Sequence, residues 1–266
     1  HGGNLIRLDE ALELMKCRLD VICSVETISV GEARGRILAE NVIASRSVPP
    51  HTNSAVDGYA VYHSDLDPNG ETEFLIQNRV PAGHPLRGRV ERGQALRVFT
   101  GAMIPEGSDG IGPDTVIMQE DCRCLGTRVF VPPGVPKGAN MRPLGEDLAE
   151  GEVALTSGRR IRAVDQAIAT AIGATRLHVY VRLKVALFSS GDEVCEPGSD
   201  LGPGQIYDSN RIILSGFLRA LGCSVTDLGI LPDRLEDCRS AIASAAQSHD
   251  LLISSGGVSV GEEDHI

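Results

Sequence analysis

Three acids and two glycines stand where apolar runs end late in this sequence. Asp192 and Glu193 follow the run in residues 183–193 (LKVALFSSGDE). Residues 223–230 (CSVTDLGI) end in Leu231-Pro232-Asp233, and residues 251–254 (LLIS) end in Ser255-Gly256-Gly257. Gly256, Gly257, Ser255 and Ser259 suit a loop whose backbone N–H groups face a phosphate, because glycine lets the backbone approach a ligand closely. The acids admit a plainer reading as solvated loop residues, since the formal net charge is −11.

The elements that would position these residues are also legible. The three apolar runs read as buried parallel strands. Between them lie two helical patterns. One starts at Asp208, Ser209 and Asn210, ordinary N-cap types, places Leu214, Phe217, Leu218 and Leu221 on one stripe, and closes at Gly222. The other groups Leu235, Cys238, Ile242 and Ala245. Strand, helix, strand, helix, strand is a right-handed doubly wound α/β unit, and such sheets bind ligands at the carboxyl ends of their strands. Glu193, Asp233 and Gly256 are expected along that one edge.

With 266 residues and 42% hydrophobic content, the chain predicts two or three domains with aliphatic cores. Its acidity argues against a nucleic-acid partner, which needs clustered Lys and Arg. The lysines are Lys16, Lys137 and Lys184. No apolar run reaches the ~18 residues of a membrane span. The start, His1-Gly2-Gly3, reads as a tag scar or trimmed end. The 7 cysteines lack C-x-x-C spacing and read as reduced residues of a cytoplasmic protein. Cys122 and Cys124 share a face of a strand, without the partners a zinc site needs. Residues 8–19 predict an amphipathic helix, residues 37–131 a run of short strands, and residues 164–172 a second short helix.

Within the β region, residues 49–60 (PPHTNSAVDGYA) are more elaborate than a chain reversal needs, although a long turn with Asn53 and Asp57 capping their own backbone would account for them. This stretch resembles the signature of the molybdopterin molybdenumtransferases, the MoeA family, which includes the catalytic domain of gephyrin. FTGAMIPEGSD, VIMQED, NMRPLGED, FSSGDEV, GQIYDSN, GILPD and SSGGVSVGEED follow in that family's order. The resemblance implies a multidomain α/β plus β protein. Its parts would be a helical linker domain from residues 1–25 and 151–174, an inserted mostly-β domain at 26–150, and a doubly wound α/β molybdopterin-binding domain at 175–266, truncated.

The implied activity is molybdenum cofactor biosynthesis: Mg²⁺-dependent insertion of molybdate into molybdopterin-AMP, with release of AMP. The resemblance places Asp57, Thr100, Asp147, Glu193, Asp233 and Asp264 at catalytic positions, with Glu193 and Asp233 as ligands of Mg²⁺, a hard ion that prefers carboxylates. It gives Ser190, Gly191, Asp208, Ser209, Asn210, Ser255, Gly256, Gly257 and Ser259 to the pterin. Two departures matter. Residues 110–114 (GIGPD) look like a loop insertion, and the family's molybdate-binding lysines have no counterpart before Ile266. The chain as given is therefore expected not to insert molybdate. Molybdopterin adenylyltransferase activity and a non-catalytic pterin-binding scaffold are the alternatives. The implied partners are a molybdopterin adenylyltransferase and a second copy. In such a homodimer, Asp57 and Thr100 of one chain would complete a composite site with Glu193 and Asp233 of the other.

Overall fold

A computed structural model describes residues 6–107, 110–231 and 234–256. The chain divides into two compact units. One comprises residues 1–40, 158–162 and 176–266, the other residues 41–157 and 163–175.

The first unit contains the expected parallel sheet. Strand Lys184–Ser190 lies in the middle, between Ser224–Leu231 on one side and Leu251–Ser255 on the other. Helix Asn210–Ala220 packs on the first two of these strands, and helix Leu235–Ala246 on the outer two. From Val185 to Ser190 every residue of the middle strand is buried, which is why it reads as a continuous apolar run rather than an alternating one. The first helix departs from expectation. Leu214 and Leu218 are half-buried, but Phe217 is 64% exposed and Leu221 63% exposed, so the predicted stripe is split. The fully buried position on this helix is Arg211, 6% exposed. A charged group with partners inside, not the apolar arc, sets the helix's rotation. In the second helix Cys238 and Ala245 are buried, whereas Leu235 is exposed.

The same unit carries an antiparallel pair, Val25–Ser29 with Arg176–Tyr180, and helix Leu8–Arg18. That helix matches the expected amphipathic segment but buries none of its residues.

The second unit is built on a six-stranded sheet. Its order is Thr115–Met118, Gly58–Val61, Gln94–Val98, Thr72–Val80, Arg128–Val131, Arg123–Leu125. Only the Thr72–Val80 and Gln94–Val98 pair is parallel. Both faces of the sheet are covered. Tyr59 and Val61 join a cluster with Phe74, Ala95 and Val129, while Ala60 and Tyr62 join one with Val80, Leu96 and Val98, as the two-residue period of a strand requires. Residues 110–114 are fastened to this sheet rather than free. The Tyr62 hydroxyl donates to the Ile111 carbonyl at 2.8 Å, and the His63 N–H to the Asp114 carboxylate at 2.7 Å. Helix Ala163–Ala171 belongs to this unit and packs on strand Val153–Leu155. Cys122 precedes strand Arg123–Leu125 instead of sharing it with Cys124, because a 3₁₀ turn, Gln119–Asp121, occupies the preceding residues.

Candidate functional site

In the first unit the strand order leaves a crevice at the carboxyl ends of Lys184–Ser190 and Leu251–Ser255. The chain leaves the middle strand in one direction and returns to its other side, and this switch point is where doubly wound sheets bind ligands. A cleft of about 150 Å³ opens there, lined by Ser190, Glu193, Asp208, Ser209, Asn210, Ser255 and Gly256, together with residues of a short parallel strand pair, Val194–Cys195 and Ile206–Tyr207. Seven sequence-predicted residues thus line one cavity. Gly191, also predicted, adjoins it: the Glu193 carboxylate lies over its α-carbon, where a Cβ would meet Oε2 at 2.5 Å. Gly256 is required by packing. Its φ is +110°, and a Cβ would lie 2.6 Å from the Ser190 carbonyl oxygen, so only glycine lets the two strand ends come this close.

Asp208 differs in kind from its neighbours. It is 4% exposed, and its carboxylate accepts from the Arg211 N–H at 3.1 Å and from Arg211 Nε at 2.8 Å. It therefore caps the helix that follows. Arg211 also donates to Asp227 at 2.6 Å and to Glu196. Burial by itself would raise the Asp208 pKa; the hydrogen bonds from Arg211 outweigh it and hold the carboxyl below the usual range. Asp227 behaves in the same way. Asp227 also accepts the Gly229 N–H at 2.9 Å, at a point where the sheet register slips between Leu187 and Ser189. Such bulges redirect the end of a strand. Sequence reasoning missed Arg211, Glu196 and Asp227. The available signals were an arginine three residues after Asp208 and an acid interrupting an apolar run.

Asp57 and Thr100 come together in the second unit. The Asp57 carboxylate accepts from both the Thr100 N–H and the Thr100 hydroxyl, each at 2.8 Å. The Thr100 N–H is the larger influence, the hydroxyl adds to it, and together they hold the Asp57 pKa below the carboxylate range. The expected self-capping turn is therefore not what forms: Asn53–Ser54 is a short strand, and the Asp57 side chain bridges to a distant loop. Gly58 makes this possible, since a Cβ there would sit 2.0 Å from the Ile117 carbonyl oxygen. Arg97 donates to the Gly58 carbonyl at 3.2 Å and to Gln119, and packs over the Tyr59 and Phe99 rings. Asp147 is in this unit too, paired with Arg142 at 2.6 Å; Arg142 in turn pairs across strands with Asn53.

Asp233, Gly257, Ser259 and Asp264 lie outside the described residues. Among the described residues, no group of three or more His, Cys, Asp and Glu side chains is arranged to hold a metal, and no helix is long and apolar enough to cross a membrane.

Comparison with known proteins agrees with this geometry. Residues 6–173 match the family model described as MoeA N-terminal region (domain I and II), and residues 186–266 match a probable molybdopterin binding domain. A molybdopterin molybdenumtransferase of Haemophilus influenzae is 38% identical over 261 residues, covering 98% of this chain and 63% of that protein. One from Nostoc sp. is 35% identical over 252 residues, covering 94% of this chain and 57% of its own length. The crystal structure of the molybdopterin biosynthesis moeA protein from Pyrococcus horikoshii OT3 superposes with a TM-score of 0.84 at 31% identity, over 95% of this chain and 67% of that one. The sequence here thus corresponds to part of the length of each relative. With one family model matching more than half of its residues, the chain belongs to the MoeA family.

Proposed function

We propose that the cleft between Ser190, Ser255 and Asn210 binds the phosphorylated part of adenylylated molybdopterin, and that the whole protein exchanges its AMP for molybdate in molybdenum cofactor biosynthesis. The observation that carries this reading is the crevice itself. A helix N-terminus, serine hydroxyls and the glycine-spaced backbone converge where two strands diverge, the combination that suits a phosphate. Among the described residues, Glu193 is the one acid lining this cleft that is not consumed by the Arg211 network. A single carboxylate fits Mg²⁺, which is commonly held by one or two carboxylates together with substrate phosphates; Asp233 would be the second. When bound, the ion would polarise phosphoryl oxygens. The residues around it hold the phosphates and exclude water.

Asp57 and Thr100 form a second polar centre. In this proposal two copies associate, so that Asp57 and Thr100 of one protomer serve the cleft of another, and the linker, β-insertion and pterin-binding division of the family is retained. A molybdopterin adenylyltransferase supplies the substrate in the cytoplasm. The test is calorimetric titration of the chain with adenylylated molybdopterin, with and without Mg²⁺, for wild type and Glu193→Gln. The expected result is Mg²⁺-enhanced binding that Glu193→Gln abolishes. Equal affinities in all four titrations would contradict the proposal.

A further inference from the structure

We propose that Arg211 is the positioning residue of this cleft: it fixes one wall and masks carboxylate charge that would otherwise repel an anionic ligand. Arg211 is 6% exposed, and its guanidinium reaches carboxylates on three different segments. Asp208 sits at the start of its own helix, Glu196 follows the short strand Val194–Cys195, and Asp227 lies on strand Ser224–Leu231 beside the register slip. A planar fork with five donors satisfies this geometry, whereas a lysine ammonium cannot bridge three directions at once.

The first consequence is mechanical. The Val194–Cys195 and Ile206–Tyr207 pair lines the cleft through Val194, Ile206 and Tyr207. Glu196 lies just after the first strand of the pair and Asp208 just after the second, and Arg211 grips both. The second consequence is electrostatic. Asp208 lines the cleft, yet both of its oxygens accept from Arg211, so it faces a ligand as a neutralised group. Without the arginine, Asp208, Glu196 and Asp227 would place three uncompensated negative charges beside the site, in addition to Glu193. The inference rests on the cleft being the anion site proposed above.

The experiment compares Arg211→Gln with Glu196→Gln. Both variants release the strand pair, but the first leaves the carboxylates unmasked whereas the second removes a negative charge. Amide hydrogen exchange of the ligand-free chain is expected to rise about ten-fold across residues 194–207 in both variants, the scale of one lost hydrogen bond to a charged group, with residues 184–190 unchanged. Titration with AMP is expected to show affinity about ten-fold weaker in Arg211→Gln but not in Glu196→Gln, while adenosine, which lacks the phosphate, binds all three proteins alike. Unchanged exchange at 194–207 would overturn the wall-fixing role. Equal weakening of AMP binding by the two variants would overturn the masking role. If wild type fails to bind AMP, the anion-site reading and the masking role fall together, and the exchange result alone decides the wall-fixing role.

Discussion

Asp57 and Asp208 are both carboxylates held below their ordinary pKa, but opposite surroundings hold them there. Asp57 is half-buried and accepts from neutral donors, the N–H and hydroxyl of Thr100. Asp208 is buried, and the Arg211 guanidinium is foremost among the groups that hold its pKa down against a desolvation penalty. The contrast separates two uses of one functional group. A half-buried, pre-oriented carboxylate bonded to neutral donors adds less to folding and stays available to a ligand. A buried, paired one is structural first, and removing its charge leaves an arginine partly unsatisfied.

Four outcomes would sharpen or break that distinction. The largest concerns the backbone that aims Asp57. Gly58→Ala forces a Cβ against the Ile117 carbonyl and should cost about 3 kcal/mol or more in urea unfolding, because backbone rather than a flexible side chain must yield. An unchanged unfolding midpoint would mean that the close approach is not needed. Next, Asp208→Asn should destabilise the protein by about 2 kcal/mol, the scale for a buried hydrogen bond to a charged group. Asp57→Asn should lower the melting temperature by less than Asp208→Asn does. If the two variants melt alike, burial does not distinguish these sites.

The third outcome is a pH dependence. The native pKa values of Asp208 and Asp227 lie below their unfolded values of about 3.9, so their contribution to stability is fully present above that pH and is lost as pH falls through the depressed native values. Acid unfolding of wild type should therefore steepen below about pH 4, and Asp208→Asn should flatten that limb. A limb of unchanged steepness would remove the linkage. The smallest effect is on Asp57 itself. Thr100→Val deletes the hydroxyl donor but keeps the N–H, the larger influence, so an NMR titration should show the Asp57 pKa rising only part of the way to its ordinary value.

Residue types alone revealed the parallel sheet because its middle strand is buried on both faces and reads as an unbroken apolar run. They also placed Ser190, Glu193, Ser255 and Gly256 at its end, since strand ends are where such runs break. What could not be read was rotation. Helix Asn210–Ala220 turns Arg211 inward and leaves Phe217 exposed, and only the carboxylates of Glu196 and Asp227, distant in sequence, explain that choice. The strand pair Val194–Cys195 and Ile206–Tyr207 was equally hidden, being two residues long on each side and set among turn formers. In the second unit, the Asp57 and Thr100 meeting was indicated by family resemblance and not by any local pattern. A turn with self-capping Asn53 and Asp57 fits the same letters.

The central claim is that the phosphorylated pterin is held at the sheet's carboxyl edge. Backbone amide chemical shifts, followed by NMR while adenylylated molybdopterin is titrated into the chain with Mg²⁺, test it most directly. The account predicts the largest shifts at Ser190, Ser209, Asn210, Ser255 and Gly256. Shifts confined to Asp57, Thr100 and their neighbours, with the sheet edge silent, would contradict it.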